Sequence, residues 1–466
     1  MSLAENLKDG IAAAEAELRA RFGDRLSTAE AVRRHHGTGE AYHPVSPPDA
    51  VVFAQSTEEV AEVVKIAARH RVPLIPYGVG TGLEGNTLAV RGGITLDLSQ
   101  MNEILRVSAE DLDCTVQAGV TRKQLNGHLR DTGLFFPIDP GADATLGGMA
   151  ATRASGTNAV RYGTMKENVL GLTAVLADGR VIRTGTRARK SAAGYDLTRL
   201  LVGSEGTLAV ITEVTLRLAP IPEAMSSAVC AFPSLEDAVN TVILTIQSGI
   251  PVARIELLDE EGLAAVVEHA GLDGFQRADT LFFEFHGSEA GAAEQAEAVR
   301  AIAEEFGGSA FRWASRTEER AALWEARHNA HYAIRARAKP DQHILSTDVC
   351  VPISRLADCM LEAKADLEAC GFWSPIIGHV GDGNFHMAPL ANYEDPEEAE
   401  RVMAWHERMV RRAIEMGGTC TGEHGIGTGK MKYLEVEHGE GVEVMRQLKR
   451  TLDPDNIMNP GKVFTL

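Results

Sequence analysis

The sequence has no pair of cysteines in Cys-x-x-Cys spacing. Its six cysteines are scattered over 466 residues, with no Cys-x-x-Cys-His and no iron–sulfur spacing. Covalently attached haem and the common iron–sulfur clusters are therefore not expected. Scattered cysteines suit a reducing compartment, where they pack as small apolar core residues.

Long hydrophobic runs are also missing. No stretch of 18 uninterrupted apolar residues occurs, and the N-terminus has no basic segment followed by an apolar run. We therefore expect no transmembrane segment and a cytoplasmic location. Leu7, Ile11, Ala14, Leu18 and Phe22 recur at helical spacing, which predicts an amphipathic helix packed on the body of the protein.

Positive charge is scarce. The chain has 46 Lys and Arg against 65 Asp and Glu, a formal net charge of -19, and no long basic block. Nucleic acid and anionic membranes are therefore not expected as partners, whereas a small anion remains open if local cations receive it. A chain of this length exceeds one ordinary core, so we expect two or three domains.

Two glycine-framed segments dominate the last third of the chain. The first, Gly-His-Val-Gly-Asp-Gly-Asn-Phe-His, begins at Gly378, and the second, Thr-Gly-Glu-His-Gly-Ile-Gly, begins at Thr421. The Gly-Asp-Gly turn between apolar runs predicts a hairpin that brings His379 and His386 together. With the carboxylate of Glu423 they would form a divalent-metal site with open coordination positions, as catalytic metals require.

A simpler interpretation of these segments is that the glycines make turns and the histidines are ordinary core or surface residues. The presence of two such segments in one chain favours the metal site. Ligation by two nitrogens and one oxygen accepts Zn, Mn, Fe or Co. His424, which follows the predicted ligand, could act as a base. Asn384 could touch a substrate or cap the turn.

The chain changes in character near residue 226. Before it, short strand-like runs alternate with glycine loops. After it, the pattern is strand, helix, strand, strand, helix, strand, as in ferredoxin-like units. A second round begins near residue 346 and contains the predicted hairpin. The predicted strands are 227–232, 252–258, 281–286 and 311–314, and the helices are 235–247 and 294–306, with a helical insertion near 262–271.

Three glycine-rich loops lie in the first half of the chain. The first has a formal G-x-G-x-x-G at Gly80, Gly82 and Gly85. A nicotinamide-type fingerprint needs a helix directly after it, whereas residues 88–98 indicate turn and strand. Its backbone N–H groups could still bind a diphosphate. The second loop runs from 136 through 156 and the third from 203 to 208, and their small residues suggest close approach to a long, flat ligand.

These loops, in this order, resemble the FAD-binding domain of the vanillyl-alcohol oxidase superfamily. The two histidine-bearing segments resemble its D-2-hydroxy-acid dehydrogenase branch. Within that branch, residues 326–329, 346–352 and 459–462 are similar to the FAD-linked D-lactate dehydrogenases. The resemblance, which runs from about residue 46 to the C-terminus, implies an α+β fold with an FAD-binding domain and a ferredoxin-like cap domain.

The resemblance also implies domain bounds and an FAD site. The expected regions are an N-terminal helical segment (1–45), the FAD-binding domain (46–222), the substrate or cap domain with the hairpin (223–418), and a C-terminal segment that returns to the FAD domain (419–466). The implied FAD residues are Pro76, Gly78, Gly80, Thr81, Gly82, Gly85, Asn86, Pro140, Gly141, Thr145, Gly147, Gly148, Ser155, Gly156, Tyr162, Gly206 and Asn459. Because residues 78–87 contain no His or Cys, we expect non-covalent FAD.

The expected reaction is hydride removal from C2 of a D-2-hydroxy acid. A metal on the hydroxyl oxygen favours the alkoxide, His424 accepts the proton, and flavin N5 takes the hydride. Arg327 would grip the carboxylate. Relatives that act on 2-hydroxyglutarate place a lysine at the position of Ser346, so its absence favours a monocarboxylate, D-lactate before glycolate, D-2-hydroxyglutarate or D-malate.

The electron acceptor stays open among a cytochrome, a quinone and an electron-transferring flavoprotein, and a homodimer stays open as well. Three other classes compete with this hypothesis. A metal hydrolase would use the same ligands but leaves the glycine loops unexplained, and a non-haem iron oxygenase usually has a β-sandwich. A non-enzymatic flavin-binding module would not need a base, metal ligands and an arginine.

Overall fold

The computed structural model describes residues 3–40 and 42–466, and it excludes the side chains of residues 3–6, 326, 328 and 331. The chain forms two compact units. Unit 1 comprises Met1–Ser155, Gly163–Ile221 and Glu423–Leu466, and unit 2 comprises Gly156–Tyr162 and Pro222–Gly422. Among the helices of the described residues, none is long and apolar enough to cross a membrane.

Strands and helices alternate along most of the chain. The strands are β1 (Leu26–Ser27), β2 (Ala50–Phe53), β3 (Leu74–Tyr77), β4 (Ile94–Asp97), β5 (Ile104–Ser108), β6 (Asp113–Gln117), β7 (Leu134–Phe135), β8 (Val169–Leu176), β9 (Val181–Gly185), β10 (Ala209–Arg217), β11 (Ala219–Pro220), β12 (Ala224–Phe232), β13 (Val252–Leu258), β14 (Asp279–Gly287), β15 (Ser309–Ala314), β16 (His343–Ile344), β17 (Val349–Cys350), β18 (Ile376–His379), β19 (Asn384–Met387) and β20 (Leu390–Ala391). The α-helices are α1 (Leu3–Phe22), α2 (Glu30–His36), α3 (Thr57–His70), α4 (Arg122–Leu129), α5 (Leu146–Thr152), α6 (Ala159–Tyr162), α7 (Met165–Asn168), α8 (Leu197–Leu201), α9 (Leu235–Gln247), α10 (Glu260–Ala270), α11 (Glu289–Glu305), α12 (Thr317–His328), α13 (Ala330–Ala336), α14 (Leu356–Ala369), α15 (Pro396–Glu415), α16 (Met431–His438) and α17 (Gly441–Leu452).

Unit 1 contains a small parallel sheet and a larger antiparallel one. The first has the order β1-β2-β4-β3, in which β2, β4 and β3 are parallel. Helices α1 and α3 pack on it, and Ala14 and Leu18 of α1 are fully buried in the same core as Val60 and Val63 of α3. The predicted amphipathic helix at the N-terminus is therefore confirmed.

The first glycine loop of unit 1 leads into a strand. After β3 ends at Tyr77, the chain runs through bends and turns until β4 begins at Ile94. No helix opens after the glycines, as the sequence predicts. The second sheet of the unit is antiparallel, with the order β5-β6-β10-β8-β9, and α4 and α5 contribute to its core.

Unit 2 is built on a seven-stranded antiparallel sheet with the order β15-β12-β14-β13-β18-β19-β17. Its first four strands have the order of a ferredoxin-like unit. In the second round, β17, α14, β18, β19 and α15 follow one another along the chain, and an antiparallel bridge joins Cys350 of β17 to Thr419. The bridge lies where a fourth strand would pair, so the structure confirms the predicted repeat.

The structure also differs in detail from the sequence-based expectations. Helix α11 begins at Glu289 and not near residue 294, because the side chain of Ser288 caps it by accepting a hydrogen bond from Gly291 N at 3.1 Å. Residues 156–162, expected in the FAD-binding domain, belong to unit 2. There, Arg254 Nε donates to Asn158 Oδ1 at 2.9 Å.

Candidate active site

The predicted histidine hairpin forms in the unit 2 sheet, between β13 and β17. Strands β18 and β19 pair antiparallel, with His379 opposite Asn384 and Ile377 opposite His386. The two imidazole rings lie with their centroids 5.4 Å apart and nearly perpendicular. Both side chains are mostly buried, with relative exposures of 13% and 14%. The hairpin therefore holds two imidazoles close together in a sheltered place.

Each imidazole is oriented through its Nδ1 atom. His379 Nδ1 lies 2.8 Å from Glu256 Oε1, and His386 Nδ1 lies 2.7 Å from the carbonyl oxygen of Thr347. Since both partners only accept, each Nδ1 carries the proton, and Nε2 is the nitrogen that would ligate a metal. Hydrogen bonding of this kind is the usual support of metal-binding histidines.

Glu256, on β13, is the charged centre of this arrangement. It is fully buried, and its Oε2 also lies 2.7 Å from Nη2 of Arg327. Burial alone would raise the pKa of Glu256, but His379 and Arg327 outweigh burial and lower that pKa. Glu256 is therefore held as a carboxylate, and Arg327, predicted to grip a substrate, is anchored to it through Nε and Nη2.

A second buried carboxylate, Asp348, connects the hairpin to the segment that leads into Glu423. Its Oδ1 accepts from Asn384 Nδ2 at 2.8 Å, and its Oδ2 accepts from Thr421 Oγ1 at 2.7 Å. Asn384 also donates to Val349 O at 2.8 Å. These bonds give Asn384 a structural role in the hairpin.

Ligand atoms of His379, His386 and Glu423 all lie within 4.8 Å of one another. Two imidazole nitrogens and one carboxylate oxygen match the donor set of a catalytic divalent transition metal with open positions. The residues present therefore fit a metal ion. His424, the predicted base, is mostly buried, and its Nε2 lies 3.7 Å from Glu423 Oε1.

The glycine loops converge within unit 1. The first and second loops approach so closely that a Cβ on Gly78 would lie 2.3 Å from Thr145 Oγ1. The first and third loops are joined by a hydrogen bond of 2.6 Å from Asn86 Nδ2 to Glu205 Oε2. Asn459, near the C-terminus, donates through Nδ2 to Asn86 O at 3.0 Å and to Glu205 O at 2.6 Å.

Several polar groups on these loops have no hydrogen-bond partner among the residues that the structure describes. The backbone N–H groups of residues 78–82 donate to no other described residue. Among the described residues, Asn459 Oδ1 is buried without a hydrogen-bond partner. Adjacent unpaired N–H groups form a nest that suits an anionic diphosphate. The first loop and its neighbours therefore fit a dinucleotide such as FAD.

The residues implied as the FAD site divide between the units. Gly156 and Tyr162 belong to unit 2, where Tyr162 Oη lies 2.8 Å from His286 Nδ1. The others belong to unit 1, and they are Pro76, Gly78, Gly80, Thr81, Gly82, Gly85, Asn86, Pro140, Gly141, Thr145, Gly147, Gly148, Ser155, Gly206 and Asn459.

Sequence reasoning missed two buried glutamates that contact the candidate site residues or the glycine loops, Glu256 and Glu205. Glu256 interrupts a run of mostly apolar residues in β13, and an acid at a buried strand position is a signal that could have been used. Glu205 stands in the third glycine loop, where its neighbours suggested only backbone contacts. Its side chain accepts from Ile426 N at 2.6 Å and from Gly427 N at 2.9 Å.

Comparisons with known proteins identify the family of the chain. Residues 221–463 match the family of FAD linked oxidases, C-terminal domain, and residues 48–185 match an FAD binding domain. The chain is 53% identical to the probable D-lactate dehydrogenase, mitochondrial, of Danio rerio over 95% of this chain and 89% of that protein. It is 47% identical to the D-lactate dehydrogenase [cytochrome], mitochondrial, of Arabidopsis thaliana over 96% of this chain and 79% of that protein.

Among solved structures, p-cresol methylhydroxylase with substrate bound has the same fold. Its TM-score is 0.78 at 19% identity, and the match covers 98% of each chain. The predicted α+β fold of the vanillyl-alcohol oxidase type is thereby confirmed. The two relatives are named mitochondrial, so they lend no support to the expected cytoplasmic location. The chain belongs to the FAD-linked oxidases, in the family of the FAD-linked D-lactate dehydrogenases.

Proposed function

We propose that this protein oxidises D-lactate to pyruvate with FAD and a divalent metal. The observation that carries the proposal is the cluster of His379, His386 and Glu423 ligand atoms within 4.8 Å of one another, in a chain with an FAD-binding domain. The names of the two relatives support D-lactate as the substrate.

We assign the metal to His379, His386 and Glu423, with Zn, Mn, Fe and Co as candidates. When bound, FAD would supply the hydride acceptor, and a metal on these three ligands would supply a Lewis acid for the substrate hydroxyl. The unpaired N–H groups of residues 78–82 would hold the FAD diphosphate without a covalent bond. Glu256 and Thr347 O fix the two imidazoles in the ligating orientation.

His424 is the proposed base. As C2–H leaves, the hydroxyl proton must also leave, since an oxocarbenium would otherwise form. A neutral imidazole accepts this proton and thereby removes the charge that opposes hydride loss. Its shelter from solvent, with 14% of the side chain exposed, supports a role that depends on a defined position.

Arg327 is the proposed receiver of the substrate carboxylate. Its Nε–H and one N–H of Nη2 contact Glu256, so both N–H groups of Nη1 and the second of Nη2 would bind the substrate. This anchoring fixes the plane of the guanidinium before substrate arrives. Ser346 carries no charge for a second carboxylate, so we propose a monocarboxylate substrate.

The acceptor that we propose is a cytochrome, as the name of the Arabidopsis relative states for that protein. A quinone or an electron-transferring flavoprotein would be distinguished from it by reoxidation rates with each acceptor. The metal hydrolase and the non-haem iron oxygenase have less support, because neither accounts for an FAD-binding domain.

The test is kcat/KM for D-lactate, L-lactate, D-malate and D-2-hydroxyglutarate with an artificial acceptor. D-lactate should be preferred, and Arg327→Ala should weaken its transition-state binding by about 2–5 kcal/mol, the scale for losing one partner of a buried charge pair. Arg337→Ala is the control, since Arg337 pairs with the exposed Glu268. A preference for either dicarboxylate would contradict the substrate assignment and indicate another basic residue in the pocket.

A further inference from the structure

The side chain of Glu205, in the third glycine loop, bonds two other segments of unit 1. Its Oε2 accepts from Asn86 Nδ2 of the first glycine loop at 2.6 Å and from Gly427 N at 2.9 Å. Its Oε1 accepts from Ile426 N at 2.6 Å. Ile426 and Gly427 follow directly in the segment 423–427, which we call the catalytic loop because it carries Glu423 and His424.

The backbone of the catalytic loop is pressed against the first glycine loop. A Cβ on Gly427 would lie 1.9 Å from the carbonyl oxygen of Glu84. Thr428 N also donates to that oxygen at 2.7 Å. Because contact is this close, the catalytic loop cannot shift without moving residues 84–86.

The acceptor geometry of Glu205 depends on both carboxylate oxygens. The side chain is 5% exposed, so water does not replace a lost partner. Three N–H donors point at two oxygens. An amide in place of the carboxylate would turn an NH₂ group toward at least one of these donors, which leaves buried donors unsatisfied.

We propose that Glu205 is a positioning residue that couples FAD binding to metal binding by holding the first glycine loop and the catalytic loop in one arrangement. The inference rests on the proposed function. FAD on the first loop would fix Asn86, and through Glu205 the backbone that follows Glu423 and His424. By reciprocity, a metal that fixes Glu423 would hold the first glycine loop in the arrangement that binds FAD.

The test measures the rate of FAD release from the holoenzyme, which appears as a rise in flavin fluorescence. The rate with metal bound is compared with the rate after a chelator has removed the metal. In the native protein, metal removal should speed release by at least about fivefold, the lower end of ordinary coupling between sites. Adding Mn²⁺ or Zn²⁺ back should restore slow release. In Glu205→Gln the rates with and without metal should agree within about twofold.

Glu213→Gln is the matched control. Glu213 is a partly buried glutamate of unit 1 that accepts from Thr173 Oγ1 at 2.6 Å, away from the glycine loops. It should keep the native ratio of release rates. A full effect of metal in Glu205→Gln would overturn the inference.

The native protein alone also decides the question, should the variant fail to fold. Chelation should speed amide hydrogen exchange both in the catalytic loop and at residues 84–86. If elemental analysis finds metal but its removal changes neither FAD release nor exchange at residues 84–86, the coupling is refuted and the proposed function stands. If the native holoenzyme holds no metal, both fail.

Discussion

Two buried glutamates of this protein, Glu256 and Glu205, have opposite electrostatic surroundings. Glu256 in unit 2 contacts the imidazole of His379 and the guanidinium of Arg327, and these lower its pKa despite burial. Glu205 in unit 1 is bonded to neutral N–H groups. Burial therefore raises the pKa of Glu205, although these hydrogen bonds and the Lys462 ammonium oppose the rise.

The difference shows two uses of a buried carboxylate. At Glu256, the carboxylate neutralises the Arg327 guanidinium and bonds His379, so it holds Arg327 and this proposed metal ligand in defined positions. At Glu205, the carboxylate supplies acceptor geometry to backbone and amide donors that would otherwise be unsatisfied. Glu256 therefore orients side chains of the proposed metal and substrate site, whereas Glu205 aligns two loops.

The largest expected effect comes from replacing His379, which contacts Glu256. His379→Ala removes a proposed metal ligand that also contacts Glu256, so metal content should fall to near zero and turnover to the assay background. FAD should still bind, since its diphosphate loop belongs to unit 1, but it should be released faster if metal loss loosens that loop as proposed above. Elemental analysis and the flavin absorption spectrum measure the two outcomes.

His386→Ala sharpens this test, because it removes a ligand and leaves the contact of His379 with Glu256 intact. It should lose metal as well. His269→Ala is the control, since His269 is exposed and outside the cluster. Full metal content in His386→Ala would contradict the ligand assignment.

The next effect concerns His424, which belongs to unit 1 with Glu205. His424→Gln should retain metal and FAD but slow flavin reduction by about 10² to 10⁴, the usual contribution of a positioned base. Rapid mixing with D-lactate under anaerobic conditions measures the reduction directly. An unchanged rate would reject His424 as the base.

A smaller effect is expected from Glu256 itself. Glu256→Gln keeps the side chain's shape but removes the charge that orients His379, so metal affinity should fall about 10- to 100-fold. Metal competition with a coloured chelator measures this. Glu284→Gln is a matched control, because Glu284 is also buried in the unit 2 sheet and bonds His286. An equal loss of affinity in both variants would indicate a general disturbance of the sheet.

The histidine hairpin, helix α9 and strand β13 follow from local patterns, and the predicted bounds of α9 and β13 agree with the structure. Periodicity and turn residues act over a few positions, so sequence reveals them. Glu256 meets His379 across 123 residues, and Glu205 meets Ile426 across 221. Local patterns do not encode such pairings, which arise only when distant segments are packed together.

Helix α6 shows the same limit on a smaller scale. Residues 156–162 follow the second glycine loop along the chain, and for that reason we expected them in the FAD-binding domain. Arg254 binds Asn158, and His286 binds Tyr162, so the segment packs with unit 2. Neither partner is near in sequence.

The smallest expected effect is on the pH dependence of stability, and it compares the two glutamates directly in protein freed of metal and FAD. An acid with a folded pKa below its unfolded value stabilises the fold above the unfolded pKa, and this contribution is lost as pH falls through the folded pKa. Glu256 is such an acid, with a pKa lowered from 4.5.

An acid with a raised folded pKa behaves in the opposite way. Glu205, with a pKa raised from 4.5, should cost stability as pH rises from 4.5 through its folded value. Glu205→Gln should therefore gain free energy of unfolding relative to native protein as pH rises through that window, by at most about 1.4 kcal/mol per pH unit. Glu256→Gln should instead lose it relative to native as pH rises toward 4.5 from below. Urea denaturation across pH measures both, and slopes of the same sign would mean that the two carboxylates do not differ as their contacts predict.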